Sequence, residues 1–167
     1  MGSKTSSIER LRALDRERMH LSRAAAVLQW DQETCLPPGG VEDRAEQLAI
    51  LEGLAHEKLV AGEIGDLLCK LEESSNDSGA DGSGTDKAGA NRAGEAEAGF
   101  PVRDFLRVLR RDYERAVKLP GDFVRSCARA EGLSQAAWVE ARRTKDFAAF
   151  APHLEKMIDC ARKKAEF

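Results

Sequence analysis

Long apolar runs are missing from this sequence. No stretch approaches the roughly 18 consecutive apolar residues that a membrane-spanning helix needs, and the first seven residues lead directly into charged sequence. We therefore expect no membrane partner and a soluble protein of the cytoplasm.

An excess of positive charge is missing as well. The 26 Lys and Arg residues are outnumbered by 29 Asp and Glu residues, which gives a formal net charge of −3. A protein that binds nucleic acid generally needs a basic surface to neutralise phosphate groups. We therefore expect no nucleic-acid partner.

Cysteine chemistry has little support in the sequence. The four cysteines lie far apart and form no C-x-x-C pair: Cys35, Cys69, Cys127 and Cys160. Three of them fall on apolar stripes, where a free thiol behaves as a small hydrophobic side chain. The pattern predicts reduced, structural cysteines.

A complete metal-binding motif is also absent. His56-Glu57 begins like the zinc motif H-E-x-x-H, but Val60 occupies the position of the second histidine. No nucleophile can be paired with a base from the sequence. We expect no catalytic residue and no metal site in this chain, and hence no activity when it is alone.

Helical periodicity, in contrast, is present through most of the chain. Apolar residues recur at steps of three and four, which predicts an all-α fold, a helical array of about seven helices. A Ser6–Glu9 capping box predicts the start of the first helix, which is expected to end at Trp30. Glu42 and Asp43 predict the first turn of a second, antiparallel helix.

The later helices are predicted from their end signals. Gly132 is interpreted as the end of a fifth helix and Ser134 as the cap of a sixth. Asp146 is predicted to start a seventh helix, which still continues at Phe167.

The corner at residues 28–40 organises the chain. Pro37-Pro38 stops the first helix, Gly39-Gly40 lets the chain reverse, and Trp30 offers the largest apolar surface for packing around the corner. Because the second helix returns beside the first, we expect Arg44 to pair with Asp31.

Composition divides the chain into three parts. Residues 74–99 hold six of the fourteen glycines and no Leu, Ile, Val or aromatic residue, so they cannot form a core. The prediction is N-terminal helices at 1–73, including the corner, a disordered low-complexity insertion at 74–100, and a helical continuation at 101–167 that is open at its C-terminal end.

Four signatures occur in a characteristic order: Trp30, Asp31, Gln32, Thr34 and Pro37; Arg44 and Gln47; Arg111, Tyr113, Lys118 and Pro120; and Trp138, Arg142, Asp146, Phe147, Phe150 and Pro152. With these signatures the chain resembles the N-terminal region of the thermostable, Taq-type zinc carboxypeptidase family. Departures from the family pattern are Leu36, His153 and the insertion. We interpret the signature residues as structural.

The resemblance implies a parent metallopeptidase that removes single residues from peptide C-termini with zinc or another divalent metal. Its N-terminal helices would form a wall of the groove that admits peptide substrates, while the zinc motif lies downstream of the region matched here. Three interpretations follow: a fragment of such an enzyme, a free-standing helical protein-interaction module derived from the family, or an unrelated helical bundle. A homo-oligomer is a further partner to consider.

Overall fold

The computed structural model describes residues 2–76 and 101–167, with side chains at 5–73 and 101–167. The predicted insertion lies outside the described residues from Asp77 onward. One turn of 3-10 helix at Pro38–Gly40 and six α-helices make up the described chain: α1 (Gly2–Thr34), α2 (Val41–Leu59), α3 (Gly62–Asn76), α4 (Val102–Ala116), α5 (Gly121–Thr144) and α6 (Phe147–Glu166). The all-α class is confirmed, but the count of about seven helices is wrong.

The difference in helix number arises at Gly132. This residue ends no helix, because α5 runs through it, and Ser134 caps nothing: its hydroxyl donates to the carbonyl of Ala130 at 2.6 Å. Gly132 is buried, and a Cβ built on it would lie 3.2 Å from the Cα of Ala45. The glycine therefore serves the close approach of α5 to α2.

The ends of α1 also differ from expectation. The helix begins at Gly2, so the predicted Ser6–Glu9 capping box is wrong, and it continues beyond Trp30 to Thr34. At about 1.5 Å per residue, its 33 residues span roughly 50 Å. The amides of Cys35 and Leu36 both donate to the carbonyl of Asp31, which closes the helix before Pro37.

A leucine-rich core holds α1, α3 and α4 together at one end of the molecule. Its most buried members are Leu11, Ile64, Leu68, Leu71 and Leu109. Leu59 brings the end of α2 into the same cluster. Burial of large apolar side chains is the main source of stability at this end.

The other end is a row of helices. The α2 helix packs between α1 and α5, and α6 packs chiefly on α5. No residue of α6 is buried, so α6 forms the least covered side of the molecule. Within the described residues, no helix is long and apolar enough to cross a membrane.

The turn between α5 and α6 has the predicted N-cap. Lys145 ends α5 in the left-handed region at φ 58°, and the carboxylate of Asp146 accepts a hydrogen bond from the amide of Ala149 at 3.3 Å. The start of the last predicted helix at Asp146 is confirmed.

Candidate functional site

A groove of about 850 Å³ opens between α1 and α6, with α2 and α5 between these walls. Apolar side chains form much of its lining: Leu48, Phe123, Val124, Phe150, Leu154 and Met157. A groove of this size with a mostly apolar lining and a few polar groups is typical of a ligand site.

Gln32 lines the groove, but its amide group is enclosed within the fold. Its side-chain nitrogen donates to the carbonyl of Gly132 at 2.7 Å, which links the end of α1 to the middle of α5. Its Oε1 atom is buried without a hydrogen-bond partner. A buried acceptor without a donor costs stability, and this one is enclosed by the protein rather than open to a ligand.

Two carboxylates face each other across the groove lining. Glu52 lies on α2 and Glu131 on α5. Partial burial, and then repulsion from Glu131, raise the pKa of Glu52 above its ordinary value. The Glu52 carboxyl therefore takes up a proton more readily than an exposed glutamate does.

His56 forms a hydrogen bond with another part of the fold. Its Nε2 atom lies 3.1 Å from the carbonyl of Leu119, which joins α2 to the turn before α5. In the part of the chain that the structure describes, no three His, Cys, Asp or Glu side chains are grouped so as to hold a metal ion. The described residues do not fit the zinc that the resemblance implies.

The corner contains the predicted ion pair. Arg44 lies 2.7 Å from the carboxylate of Asp31, which confirms that α2 returns beside α1. The same guanidinium donates to the carbonyl of Leu28 at 2.6 Å and to the side chain of Gln47 at 3.1 Å. The Arg44 side chain is 12% exposed and that of Asp31 37%, so the pair is only partly shielded from water.

Replacing Arg44 by alanine should lower the free energy of unfolding by about 1 to 3 kcal/mol. This loss lies between the losses typical of exposed ion pairs and of fully buried ion pairs, because Asp31 retains some contact with water. Urea denaturation followed by circular dichroism measures the change. Arg10→Ala is the matched control, since its pair with Glu63 is exposed on both sides and its loss should leave the urea midpoint unchanged. Equal midpoints for the two variants would contradict the role assigned to Arg44.

The expectation that Trp30 packs the corner is wrong. Trp30 is 63% exposed, and only its backbone takes part in the corner, where its carbonyl accepts from the Thr34 hydroxyl at 2.8 Å. Pro37 precedes the 3-10 turn and accepts from the amide of Gly40 at 2.9 Å.

The signature around α4 contributes to packing and to the next turn. Tyr113 packs against the leucine-rich core and against Gly65, where a side chain would collide with its hydroxyl. Arg111 pairs with the neighbouring Asp112 at 3.0 Å, and Lys118 is exposed. Pro120 begins α5 by accepting from the amide of Val124 at 3.1 Å.

The last signature surrounds the turn between α5 and α6. The Arg142 guanidinium lies 5.7 Å from the centre of the Trp138 ring, and the rings of Phe147 and Phe150 are 6.3 Å apart. Pro152 lies inside the first turns of α6.

The groove lining includes only three of the signature residues, namely Gln32, Trp138 and Phe150. Sequence reasoning missed Glu52, Glu131 and Gln135 as lining residues. The four-residue step from Glu52 to His56 was a signal that both lie on one helix face. No local signal could have placed Glu131 opposite that face.

Comparisons with known proteins agree with this fold. A family model described as Carboxypeptidase Taq (M32) metallopeptidase matches residues 10–167. Thermostable carboxypeptidase 1 of Thermus thermophilus is 31% identical over 161 residues, which are 96% of this chain and 28% of the relative. The M32 carboxypeptidase structure from Deinococcus radiodurans is 31% identical with a TM-score of 0.58, covering 96% of this chain and 28% of that one.

The BsuCP crystal structure supports the fold alone. It has a TM-score of 0.78 at 23% identity and covers 95% of this chain and 28% of its own. The chain thus spans about 28% of the length of these relatives. Because the family model matches residues 10–167, the chain belongs to the Carboxypeptidase Taq (M32) metallopeptidase family.

Proposed function

We propose that this chain forms the N-terminal wall of the peptide groove of a metal-dependent carboxypeptidase, and that alone it hydrolyses no peptide. Family membership over residues 10–167 and the 28% coverage of the relatives support this assignment. The observation that carries it is the groove between α1 and α6, with its mostly apolar lining.

The lining suits an extended peptide. Apolar side chains on α5 and α6 offer contact area to peptide side chains, and Gln29 and Gln135 offer amide groups to the peptide backbone. An extended peptide needs both donors and acceptors, because its own N–H and C=O groups are unpaired. Amide side chains supply both kinds of group.

The catalytic metal, zinc or another divalent ion, is assigned to the remainder of a family-length protein. The donor set of the described residues does not fit it, and His56 is bonded to Leu119. We therefore assign no step of hydrolysis to residues of this chain. The signature residues are proposed to be structural, and a cytoplasmic location and a homo-oligomer stay predictions.

Binding without cleavage tests the proposed function. Trp30→Phe leaves Trp138 as the single tryptophan, and this residue lines the groove. We expect a saturable change in Trp138 emission when unstructured peptides are added, and no shortened peptide by mass spectrometry with added zinc. Cleavage at the peptide C-terminus would contradict the proposed inactivity.

A blocking variant shows whether the groove is the binding site. Ala128→Phe, introduced beside Trp30→Phe, places a ring in the lining and should abolish the emission change. Ala24→Phe is the matched control, because Ala24 is exposed and lies outside the groove lining. If both variants bind peptide equally, the site lies elsewhere.

A second candidate function is a free-standing helical protein-interaction module. The observation in its favour is the exposure of large apolar side chains, with Val27 and Trp30 each 63% exposed and Phe147 66%. Exposed apolar surface of this kind often marks a protein–protein interface. A peptide titration that leaves Trp138 emission unchanged would favour this function over the groove.

A further inference from the structure

A second, smaller pocket lies at the turn between α5 and α6. Its volume is about 560 Å³, which is within the usual range of small-molecule sites. Six residues line this pocket: Trp138, Ala141, Arg142, Lys145, Phe147 and Phe150. Three of the six side chains are aromatic, two are cationic and none is acidic. The pocket therefore combines ring surfaces with positive charge.

The backbone of the turn holds the lining of this pocket in place. Lys145 has a left-handed conformation at φ 58°, and the amides of Lys145 and Asp146 both donate to the carbonyl of Ala141. The carboxylate of Asp146 accepts from the amide of Ala149 at 3.3 Å, which fixes the first turn of α6. Ala141 is buried, whereas Lys145 and Phe147 are exposed. The pocket is thus open to solvent on a hydrogen-bonded turn.

The two cations of the pocket have no carboxylate partner among the described residues. The Arg142 guanidinium lies 5.7 Å from the centre of the Trp138 ring, which is a cation–π contact and not an ion pair. In the same ranges, the Lys145 ammonium forms no ion pair. The nearest carboxylate before them in the chain belongs to Glu140, and it pairs with Arg143 at 2.6 Å. Both cations are therefore available to an anionic ligand.

We propose that this pocket binds a small aromatic carboxylate, with its ring among the aromatic side chains and its carboxylate on Arg142 and Lys145. The rings of Phe147 and Phe150 are 6.3 Å apart in an edge arrangement, which an aromatic ligand extends. A guanidinium binds a carboxylate through two parallel hydrogen bonds. A cationic ligand would meet like charge, and an aliphatic one would lose the ring contacts.

Titration of the nitrogen-15-labelled chain with 3-phenylpropionate tests the proposal. Each of the two tryptophans gives one indole N–H resonance, and Trp30→Phe identifies that of Trp138 by removing the other. We expect a saturable shift of the Trp138 resonance with a Kd of about 1 mM, as suits a ligand of few atoms. Absence of a saturable shift would overturn the proposal.

The neutral amide of the same shape isolates the effect of charge. 3-Phenylpropionamide should bind about tenfold more weakly than 3-phenylpropionate, because it cannot form charge-assisted hydrogen bonds with the two cations. This comparison uses one and the same chain, so it does not depend on the folding of a variant. Equal affinities for the acid and the amide would overturn the role of Arg142 and Lys145.

Charge-removing variants locate the carboxylate. Arg142→Gln with Lys145→Asn should weaken 3-phenylpropionate binding at least about tenfold, and asparagine tolerates the left-handed conformation at position 145. Arg143→Gln is the matched control, because Arg143 pairs with Glu140 and lies outside the lining. If Arg143→Gln weakens binding as much, only the overall charge matters, and the proposed site is wrong.

Ala128→Phe separates this pocket from the groove. Trp138 and Phe150 line both, but Ala128 lines the groove alone, so Ala128→Phe should leave 3-phenylpropionate binding unchanged. Loss of binding would place the ligand in the groove and overturn the proposal. The proposal does not rest on peptide binding: a chain that binds no peptide should still bind 3-phenylpropionate. A shift with a peptide that ends in phenylalanine, but not with 3-phenylpropionate, would overturn a small-molecule ligand.

Discussion

Replacing Gly132 by valine should lower the free energy of unfolding by about 2 to 3 kcal/mol. The added Cβ would lie 3.2 Å from the Cα of Ala45 and 3.3 Å from its Cβ, and two further methyl groups must fit in the same space. Because the first contact is with backbone, relief requires α2 and α5 to move apart, which is the overpacking cost of a close-packed interior. Urea denaturation measures the loss.

Gly62 provides the matched control for this substitution. It opens α3, and a Cβ built there meets no atom within 4 Å. Gly62→Val should therefore change the urea midpoint little, since only the helix preference of the residue changes. If the two valine variants lose equal stability, close approach of α2 and α5 is not what Gly132 provides.

Truncating Leu68 to alanine should lower the free energy of unfolding by about 2 to 5 kcal/mol. Leu68 is 1% exposed and lies in the leucine-rich core with Leu11 of α1 and Leu109 of α4. Its loss removes buried apolar surface and leaves a cavity among three helices that cannot all collapse into it. Thermal and urea unfolding should both report the loss, with helix content retained at low denaturant.

Leu54→Ala is the control of identical chemistry at an exposed site. Leu54 is 41% exposed on α2, so alanine there removes contacts with water as much as with protein. Leu54→Ala should lower the free energy of unfolding by less than about 1 kcal/mol. A loss at Leu54 that matches the loss at Leu68 would mean that the exposed face of α2 is covered in solution.

The exposed ion pairs between α2 and α5 contribute too little to offset the stability lost in Gly132→Val or in Leu68→Ala. Arg129 pairs with Glu42 and Glu46, and Arg125 pairs with Glu57, all on solvent-exposed side chains. Such pairs contribute little, because water screens the charges and long side chains lose freedom on pairing. Packing at Gly132 and Leu68 therefore governs stability more than these charges do.

Local signals in the sequence predicted several features that depend on neighbours along the chain, although the predicted caps at Ser6 and Ser134 were wrong. The three- and four-residue periodicity predicted the all-α class, and Asp146 predicted the start of α6 because an N-cap bonds an amide three residues away. Pro37-Pro38 with Gly39-Gly40 predicted a reversal, and a reversal brings Arg44 back to Asp31 whatever the rest of the fold does. The signature residues, read in order, identified the family.

Tertiary structure decided every feature that depends on a distant partner. A glycine in a helical pattern indicates either a helix end or a close contact between helices. Only the position of Ala45 shows that Gly132 serves a close contact. Trp30 is exposed because no described helix covers its face of α1. Glu52 on α2 and Glu131 on α5 line the same groove because side-chain packing sets the register of the two helices. That register is a property of facing surfaces, which no periodicity within one helix contains.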